Sequence, residues 1–398
     1  MMSKQRNHKP IYLDHAATTP LNPLVLEKML PYMTEKYANP SSLYSIGQES
    51  RVAVDSSREN VASILNCRPS EIIFTSGGTE SDNAAINGAS LGLREYGNHI
   101  ITSSIEHHAV LNACSQMQNL GFDITFVPVD RDGLVNPEDI IRSMTDRTVL
   151  VSVMYVNNEV GTIQPIKEIA ALVKENAKSM NTKVLVHTDA VQAPGYLSID
   201  VEDLGVDLMS LSAHKFYGPK GVGILYKKRR IPFVPLIVGG GQENDERSGT
   251  ENVPGIVGAS VALDLVSSKI DETVHKVKAL QSRLLLGIEE RISKVILNGH
   301  RAKRIVNNLN VSFYGVEAEP VLLGLDLNGV YASSGSACST ASLEPSHVLM
   351  AMGLNFELAR SSLRLTLGAD TNEESIDYTI DSLATVIQQL RSMSSFGR

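Results

Sequence analysis

Residues 207–226 read DLMSLSAHKFYGPKGVGILY. The first six residues predict a buried strand, and Lys215 follows them beside Ser212, His214 and a glycine-rich turn. A lysine in a partly desolvated pocket has a lowered amine pKa and becomes a nucleophile suited to Schiff-base formation. Lys220, within the turn, is the rival candidate, but the tip of a turn is usually solvated. The stretch therefore predicts a strand that ends at a reactive lysine, Lys215.

Strand-like runs recur before this stretch and alternate with amphipathic segments over most of the first 260 residues. The runs cover residues 71–75, 99–103, 123–127, 148–156 and 184–189, together with 207–212. Helix-like segments such as 48–66 and 165–180 lie between them. This alternation predicts an α/β fold with a mostly parallel sheet that is covered by helices on both faces.

The pattern changes after residue 255. A long helical stretch is predicted over about residues 257–293, followed by strand-like segments at 306–315 and 363–367. The last helix is predicted to begin with a capping box formed by Thr371 and Glu374. We therefore expect two domains: a large domain over residues 15–260, and a smaller α+β domain formed by 1–14 and 261–398.

Composition and charge limit the classes of function. The chain has 398 residues, 42% of them hydrophobic and 20% charged, which is ordinary for a globular protein. A net charge of −8 argues against a broad nucleic-acid surface. The sequence shows neither the apolar core of a secretory signal nor a membrane-spanning run. Three widely separated cysteines fit neither a zinc site nor a disulfide framework, so we expect no metal, no membrane and a cytoplasmic location.

Two further segments place polar groups at the ends of predicted strands. Residues 76–80, SGGTE, follow a strand and open a helix, where free N–H groups attract an anion. A glycine turn of this kind is also a common plain connection. The segment VLVHTDAVQ puts Asp189 at a strand end, where a carboxylate can pair with a protonated ring nitrogen such as that of pyridoxal phosphate. The alternative is that Asp189 caps a helix beginning at Ala190.

An ordered set of segments resembles the cysteine desulfurases of the NifS/IscS kind, which are fold-type I pyridoxal-phosphate enzymes. The set includes YLDHAATTP, FTSGGTESDN, EHHAV, HTDAVQ, SAHKFYGPKG, RSGTEN and SSGSACSTASLEPSHV, and it spans residues 11–368. The resemblance implies a large domain with a mostly parallel seven-stranded sheet and a smaller domain that carries a cysteine loop. It also implies pyridoxal 5'-phosphate as cofactor, L-cysteine as substrate and a homodimer.

The resemblance assigns roles to individual residues. Lys215 would hold the cofactor, Asp189 would pair with its ring nitrogen, Gln192 would contact its phenolic oxygen, and His107 would stack on the ring and assist proton transfer. Gly78, Thr79, Ser212 and His214 would hold the phosphate, and Thr250 would reach the phosphate of the opposite subunit. Asn158 and Arg364 would bind the substrate carboxylate. These assignments follow the matching motifs and not the spacing of the residues.

Cys338 distinguishes between members of this fold. It lies among small polar residues, whereas a structural cysteine usually has apolar neighbours; Cys67 and Cys114 look structural or incidental. The resemblance implies that Cys338 receives the sulfur of L-cysteine as a persulfide, leaves L-alanine, and passes the sulfur to an acceptor or an iron–sulfur scaffold protein. The chain lacks the longer C-terminal tail of housekeeping IscS members, so the acceptor stays open. A selenocysteine lyase, an aminotransferase and a sulfur-relay protein without catalysis remain alternatives.

Overall fold

The computed structural model describes residues 10–334 and 344–393. Its strands are β1 Ile11–Tyr12, β2 Ile72–Thr75, β3 His99–Ser103, β4 Asp123–Val127, β5 Thr148–Ser152, β6 Leu185–Asp189, β7 Leu208–Ser212, β8 Gly223–Lys227, β9 Val295–Asn298, β10 Asn308–Phe313, β11 Val330–Tyr331 and β12 Ser362–Thr366. Its helices are α1 Pro23–Met29, α2 Pro31–Thr34, α3 Ser45–Leu65, α4 Gly78–Asn83, α5 Ala89–Gly92, α6 His108–Asn119, α7 Pro137–Ser143, α8 Ile166–Met180, α9 Val201–Leu204, α10 Val253–Ser267, α11 Ile270–Arg291, α12 Ala318–Leu327, α13 His347–Ala351, α14 Phe356–Arg360 and α15 Glu373–Met393.

The main sheet has seven strands in the order β2-β8-β7-β6-β5-β3-β4. The pairs from β7 through to β4 are all parallel, whereas β8 runs antiparallel to both of its neighbours. The predicted α/β fold with a mostly parallel sheet is therefore confirmed. Strand β8 was missing from the predicted runs, because residues 213–222 join it to β7 without the crossover helix that a parallel neighbour requires.

Alternate residues along the strands enter different hydrophobic cores. Ile72 and Phe74 pack on one face of the sheet, and Ile73 packs on the other. Successive side chains of a strand point to opposite faces, so the sheet is buried on both sides by the helices that connect its strands. This burial holds the strand ends rigidly, and the polar residues that follow them are held with it.

Helix α8, whose bounds were predicted to within one residue, shows how the local sequence determines where a helix begins and ends. Its buried positions, Ile166, Ile169, Ala170, Val173 and Ala177, recur at helical spacing. Pro165 precedes the helix, and Asn181 ends it in the left-handed conformation at φ 54°. Asparagine tolerates that conformation better than most residues with a side chain, so the helix ends there.

A second group of elements lies after α10. Strands β9, β10 and β12 form an antiparallel sheet in the order β12-β10-β9, and β1 pairs in parallel with β11. The hydrophobic core here joins α11, α15 and the strands, and it includes Leu13 from the beginning of the chain. The predicted domain boundaries at 15–260, with 1–14 and 261–398, stay a prediction.

The helical stretch expected at 257–293 is divided between two helices, α10 and α11, which meet at an angle of 69°. The capping box predicted for the last helix was wrong. Helix α15 begins one residue later than the capping box requires, so Asn372 takes the capping position and its Oδ1 accepts from the N–H of Ser375 at 2.9 Å. Thr371 instead accepts from the N–H of Gly368. Among the described residues no single helix has both the length and the apolar character to cross a membrane, and only the bent pair α10–α11 meets that criterion jointly.

Candidate active site

Six strands of the main sheet, all except β8, have their carboxyl ends at one edge, since β4 is parallel to β3. Strands β2 and β7 run in the same direction because both are antiparallel to β8, and β3, β5 and β6 are parallel to β7. A cavity of about 430 Å³ opens beyond these carboxyl ends, the position where open α/β sheets bind ligands. The predicted site residues that line it are Gly78, Thr79, His107, Asn158, Asp189, Gln192, Ser212, His214, Lys215 and Arg364.

Lys215 lies inside this cavity, at the end of a short 3-10 turn that continues from β7. Its Nζ donates to the carbonyl oxygens of Ala16 and Ala17, the latter at 2.9 Å. Gln192 Nε2 also donates to the Ala16 carbonyl, at 3.1 Å. The rival candidate, Lys220, is exposed and lines a different cavity. The N-terminal segment therefore fixes the amine of Lys215 at the floor of the site.

Asp189 is the last residue of β6 and is 7% exposed. Its Oδ1 accepts from the N–H of Val191 at 2.9 Å, and residues 190–197 form turns, so the alternative that Asp189 caps a helix is wrong. Burial raises the pKa of Asp189 to about 6, although the hydrogen bond from the Val191 N–H and the charge of Lys215 both lower it. A positive partner close to Asp189 would lower this pKa and favour the ionised carboxylate.

Two buried carboxyl groups near Asp189 were not predicted. Asp82 is 1% exposed and lines the cavity from α4, and Glu106 is fully buried just before His107. Burial raises the pKa of Asp82 well above its usual range, and the charge of Asp189 adds to this. Burial also raises the pKa of Glu106 to about 8. One oxygen of each group, Asp82 Oδ1 and Glu106 Oε2, has no hydrogen-bond partner among the described residues.

His107 caps the N-terminus of α6, where its Nδ1 accepts from the N–H of Ala109 at 3.1 Å. Burial, with the nearby positive charge of Lys215, lowers the pKa of His107 to about 4, so the ring is neutral at pH 7. His108 faces His347, with ring centroids 4.7 Å apart. Residues 10–334 and 344–393 contain no group of three or more His, Cys, Asp or Glu side chains arranged to hold a metal ion.

Another part of the cavity lining consists of small and hydroxyl-bearing residues. A Cβ added to Gly78 would lie 2.9 Å from Val191 Cγ2 and 3.3 Å from Ser212 Cβ, so this position has no room for a side chain. Thr79 follows at the start of α4, and Ser212 ends β7. His214 Nδ1 lies 3.1 Å from Thr18 Oγ1, and burial lowers the pKa of His214 to about 4. The arrangement presents hydroxyl and N–H donors to one small volume.

Arg364 reaches the cavity from β12 with a side chain that is 3% exposed. Its Nη2 donates to Asp14 Oδ1 at 2.8 Å, and its Nη1 donates to the carbonyl oxygen of Asn158 at 3.1 Å. Its Nε is buried, and nothing in the described part of the chain accepts from it. Asp14 was not predicted. It lies inside the quoted segment YLDHAATTP, but its partner stands far away in sequence.

Residues 344–347 close one side of the cavity. Ser346 Oγ donates to Glu159 Oε2 at 2.5 Å, and His347 Nε2 lies 2.9 Å from the carbonyl oxygen of Glu106. Cys338 itself lies outside the described residues. Cys114 is buried and Cys67 is half-buried, and burial raises the pKa of each thiol to about 12, as expected of unreactive cysteines.

Comparison with known proteins agrees with this geometry. Residues 11–379 match the family model described as aminotransferase class-V. The chain is 49% identical over 388 residues to the cysteine desulfurase IscS of Dictyoglomus turgidum, covering 98% of this chain and 97% of that protein. A solved NifS-like protein superposes with a TM-score of 0.90 at 38% identity, over 96% of this chain and all of that one. The solved structure named SspA in complex with cysteine gives a TM-score of 0.79 at 37% identity, over 90% and 98%. The chain therefore belongs to the aminotransferase class-V family and, within it, to the cysteine desulfurases of the NifS/IscS kind.

Proposed function

We propose that the protein is a pyridoxal-phosphate-dependent cysteine desulfurase that converts L-cysteine to L-alanine and carries the sulfur as a persulfide on Cys338. The observation that carries the proposal is one cavity in which Lys215, Asp189 and Arg364 meet from three separate strands. Relatives named cysteine desulfurase, alike over nearly the whole chain, support it. A lysine, a buried carboxylate and a carboxylate-binding arginine are what a pyridoxal-phosphate enzyme acting on an amino acid requires.

The residues present fit the proposed cofactor. Lys215 would bind its aldehyde carbon, and Asp189 would face its ring nitrogen, where a positive partner would hold the carboxyl ionised. Gln192 would contact the phenolic oxygen, while Gly78, Thr79, Ser212 and His214, which line the cavity together, would hold the phosphate. When bound, pyridoxal phosphate supplies an electron sink for the α-carbon of the substrate. His107, neutral at pH 7, would stack on the ring without adding charge.

Arg364 and Asn158 would bind the substrate carboxylate. The guanidinium is already oriented by Asp14 and by the Asn158 carbonyl, and its buried Nε still lacks an acceptor among residues 10–334 and 344–393. The planar fork of arginine binds a carboxylate through two parallel hydrogen bonds. One relative was solved in complex with cysteine, which supports L-cysteine as the substrate.

Protons and sulfur would then be handled by this chain's own side chains. Lys215 Nζ would move the proton of the substrate α-carbon, and the neutral ring of His107, whose Nδ1 accepts from Ala109, would assist by presenting its Nε2–H as a donor. Cys338, as a thiolate, would attack the substrate sulfur, so that an S–S bond forms while the C–S bond of cysteine breaks. Protonation of the remaining three-carbon unit completes L-alanine. A low-pKa, accessible thiol is the kind of cysteine that performs such an attack.

The proposal includes partners. Thr250 lies outside this subunit's cavity on an exposed loop, which is consistent with a role in the phosphate site of a second copy and hence with a homodimer. The sulfur on Cys338 would pass to an acceptor protein, with iron–sulfur cluster assembly as the favoured destination and the cytoplasm as the place. No nucleic-acid or membrane partner is proposed.

The test is to record the visible spectrum of the purified protein, add L-cysteine with a reductant, and measure sulfide and alanine. We expect a yellow protein that releases both in equal amounts. Cys338→Ser should keep the colour and lose the activity, whereas the matched control Cys67→Ser should keep both. Colour with no product from cysteine, but with product from selenocysteine or a keto acid, would favour a selenocysteine lyase or an aminotransferase instead. A colourless protein that cannot be reconstituted would refute the cofactor assignment.

A further inference from the structure

The loop of residues 240–251, which we call the Thr250 loop, is strained at its centre. Three consecutive residues other than glycine have positive φ: Glu243 at 48°, Asn244 at 58° and Asp245 at 64°. Residues with a side chain disfavour this left-handed region, and a run of three persists only when surrounding contacts hold it. Something outside the loop must therefore hold this turn.

The first such contact is a buried ion pair between Glu243 and Arg58 of α3. The two carboxylate oxygens of Glu243 accept from Nη1 and Nη2 of Arg58, both at 2.7 Å. Oε2 of Glu243 also accepts from the N–H of Phe74 at 3.0 Å, and Nη1 of Arg58 donates to the Ile72 carbonyl at 2.6 Å. Both charged residues are 8% exposed. The centre of the strained turn is thus fixed to β2, the strand that leads into the Gly78 turn.

A second contact follows four residues later. Arg247 donates from Nε to Glu80 Oε1 at 2.8 Å and from Nη2 to Glu80 Oε2 at 3.3 Å. Glu80 Oε2 also accepts from the N–H of Ser76 at 2.9 Å. Glu80 belongs to α4, next to Thr79, so this contact again joins the Thr250 loop to the proposed phosphate-binding segment of its own subunit.

The end of the loop is held from within and by Arg51 of α3, whose Nη1 lies 3.7 Å from Glu251 Oε1. Gly249 has φ 117°, and its N–H donates to Gln242 Oε1 at 2.8 Å. Ser248 Oγ accepts from the N–H of Gly241 at 3.3 Å. Thr250 follows and is exposed. Glu246 of the loop is also paired with Lys227, at 3.0 Å. A side chain that is exposed in one subunit but carried on a strained loop held by several ion pairs is suited to enter a site on another molecule.

We propose that the Arg58–Glu243 pair is a positioning pair that fixes Thr250 for hydrogen bonding to the cofactor phosphate in a second copy of this chain, an inference that rests on the proposed role of Thr250. Neither residue lines the cavity of its own subunit, so the pair acts through the loop. Each subunit thereby anchors, on the strand that serves its own phosphate site, the loop that completes the site of its partner.

The experiment titrates cofactor-free dimer with pyridoxal phosphate and, separately, with pyridoxal, which lacks the phosphate. Thr250→Ala should weaken binding of pyridoxal phosphate about 10-fold, the effect of losing one hydrogen bond to a charged group, and change pyridoxal binding by less than about 2-fold. Glu243→Gln should give the same phosphate-specific loss. The double variant should bind pyridoxal phosphate no more weakly than the single variant with the lower affinity, because both changes remove the same contact. Asp245→Asn, an exposed carboxyl in the same loop, is the matched control and should bind as wild type does.

The outcomes separate the two proposals. A Thr250→Ala protein with an unchanged ratio of the two affinities would refute the role of Thr250, and with it the cross-subunit contact in the proposed function. If Thr250→Ala shows the loss and Glu243→Gln does not, or if Glu243→Gln weakens both ligands equally, the positioning inference is wrong. If Glu243→Gln does not fold, Arg58→Lys replaces it, because it keeps the positive charge of the pair but loses the two-pronged contact with Glu243, and it should give the same phosphate-specific loss.

Discussion

The buried carboxyl group of Glu106 gives a direct test of the electrostatics beneath the active-site cavity. Its Oε1 accepts from Ser103 Oγ at 2.5 Å and from the N–H of Met154 at 2.9 Å, while its Oε2 is buried and finds no partner within the described residues. Burial is the main reason that its pKa rises from 4.5 to about 8. The folded protein therefore keeps a proton on Glu106 at pH values where the unfolded chain has lost it.

A raised folded-state pKa makes stability fall as pH rises. Below pH 4.5 both states hold the proton, so this group does not make the free energy of unfolding depend on pH there. Between 4.5 and about 8 only the folded state holds it, and each pH unit removes about 1.4 kcal/mol from the free energy of unfolding. Over the whole interval the loss reaches about 5 kcal/mol. Since Glu106 is fully buried, screening by solvent reduces this figure little.

Glu106→Gln removes the titration and keeps the shape. The amide oxygen of glutamine can still accept from Ser103 and Met154, so the variant should fold. We expect the difference in free energy of unfolding, variant minus wild type, to grow by about 1.4 kcal/mol per unit from pH 5.5 to 7.5. Urea unfolding of both proteins without cofactor, at one protein concentration and several pH values, measures it. Glu35→Gln, which removes an exposed carboxyl, is the control and should parallel the wild type. A Glu106→Gln curve that also parallels the wild type would refute the assignment of the proton.

Three further variants test the proposed site. Gly78→Ala places a methyl group 2.9 Å from Val191 Cγ2 and should weaken pyridoxal-phosphate binding about 10-fold in a titration of cofactor-free protein; unchanged affinity would show that the segment can relax. Arg364→Lys loses the planar fork that also holds Asp14, so steady-state kinetics should show KM for L-cysteine raised about 10-fold or more, with a smaller change in kcat. Asp189→Asn should keep the visible colour but lower kcat about 100-fold, because the ring nitrogen loses its charged partner; a wild-type rate would contradict its role.

The strand ends were predictable from sequence because parallel strands deliver their carboxyl ends to one edge. Lys215 and Asp189 each follow an apolar run, and those runs became β7 and β6 within one residue. The same logic missed β8, which runs antiparallel to β7 after the connection formed by residues 213–222. An apolar run indicates that a strand is buried, but it does not indicate whether the strand runs parallel or antiparallel to its neighbours.

The polar groups around the predicted residues were harder to predict from the sequence. Asp82 and Glu106 stand inside the quoted segments FTSGGTESDN and EHHAV, but nothing local distinguishes a buried carboxyl group from an exposed one. The signal that could have found them is proximity in sequence to Gly78 and His107. Asp14 and Arg364 form their ion pair only through tertiary folding, and no local pattern predicts such a pair.

The pairing of Asp14 with Arg364 also bears on how the protein is made. The two residues are 350 positions apart, and β1 cannot form its ladder until β11 has been synthesised. At about 5–20 residues per second, translation needs roughly 20–70 s to travel from Asp14 to Arg364. Lys215 and its carbonyl partners at Ala16 and Ala17 leave the ribosome well before that. The nascent chain therefore carries Lys215 before it has Arg364, and β1 and Asp14 must wait for Val330, Tyr331 and Arg364 to be synthesised.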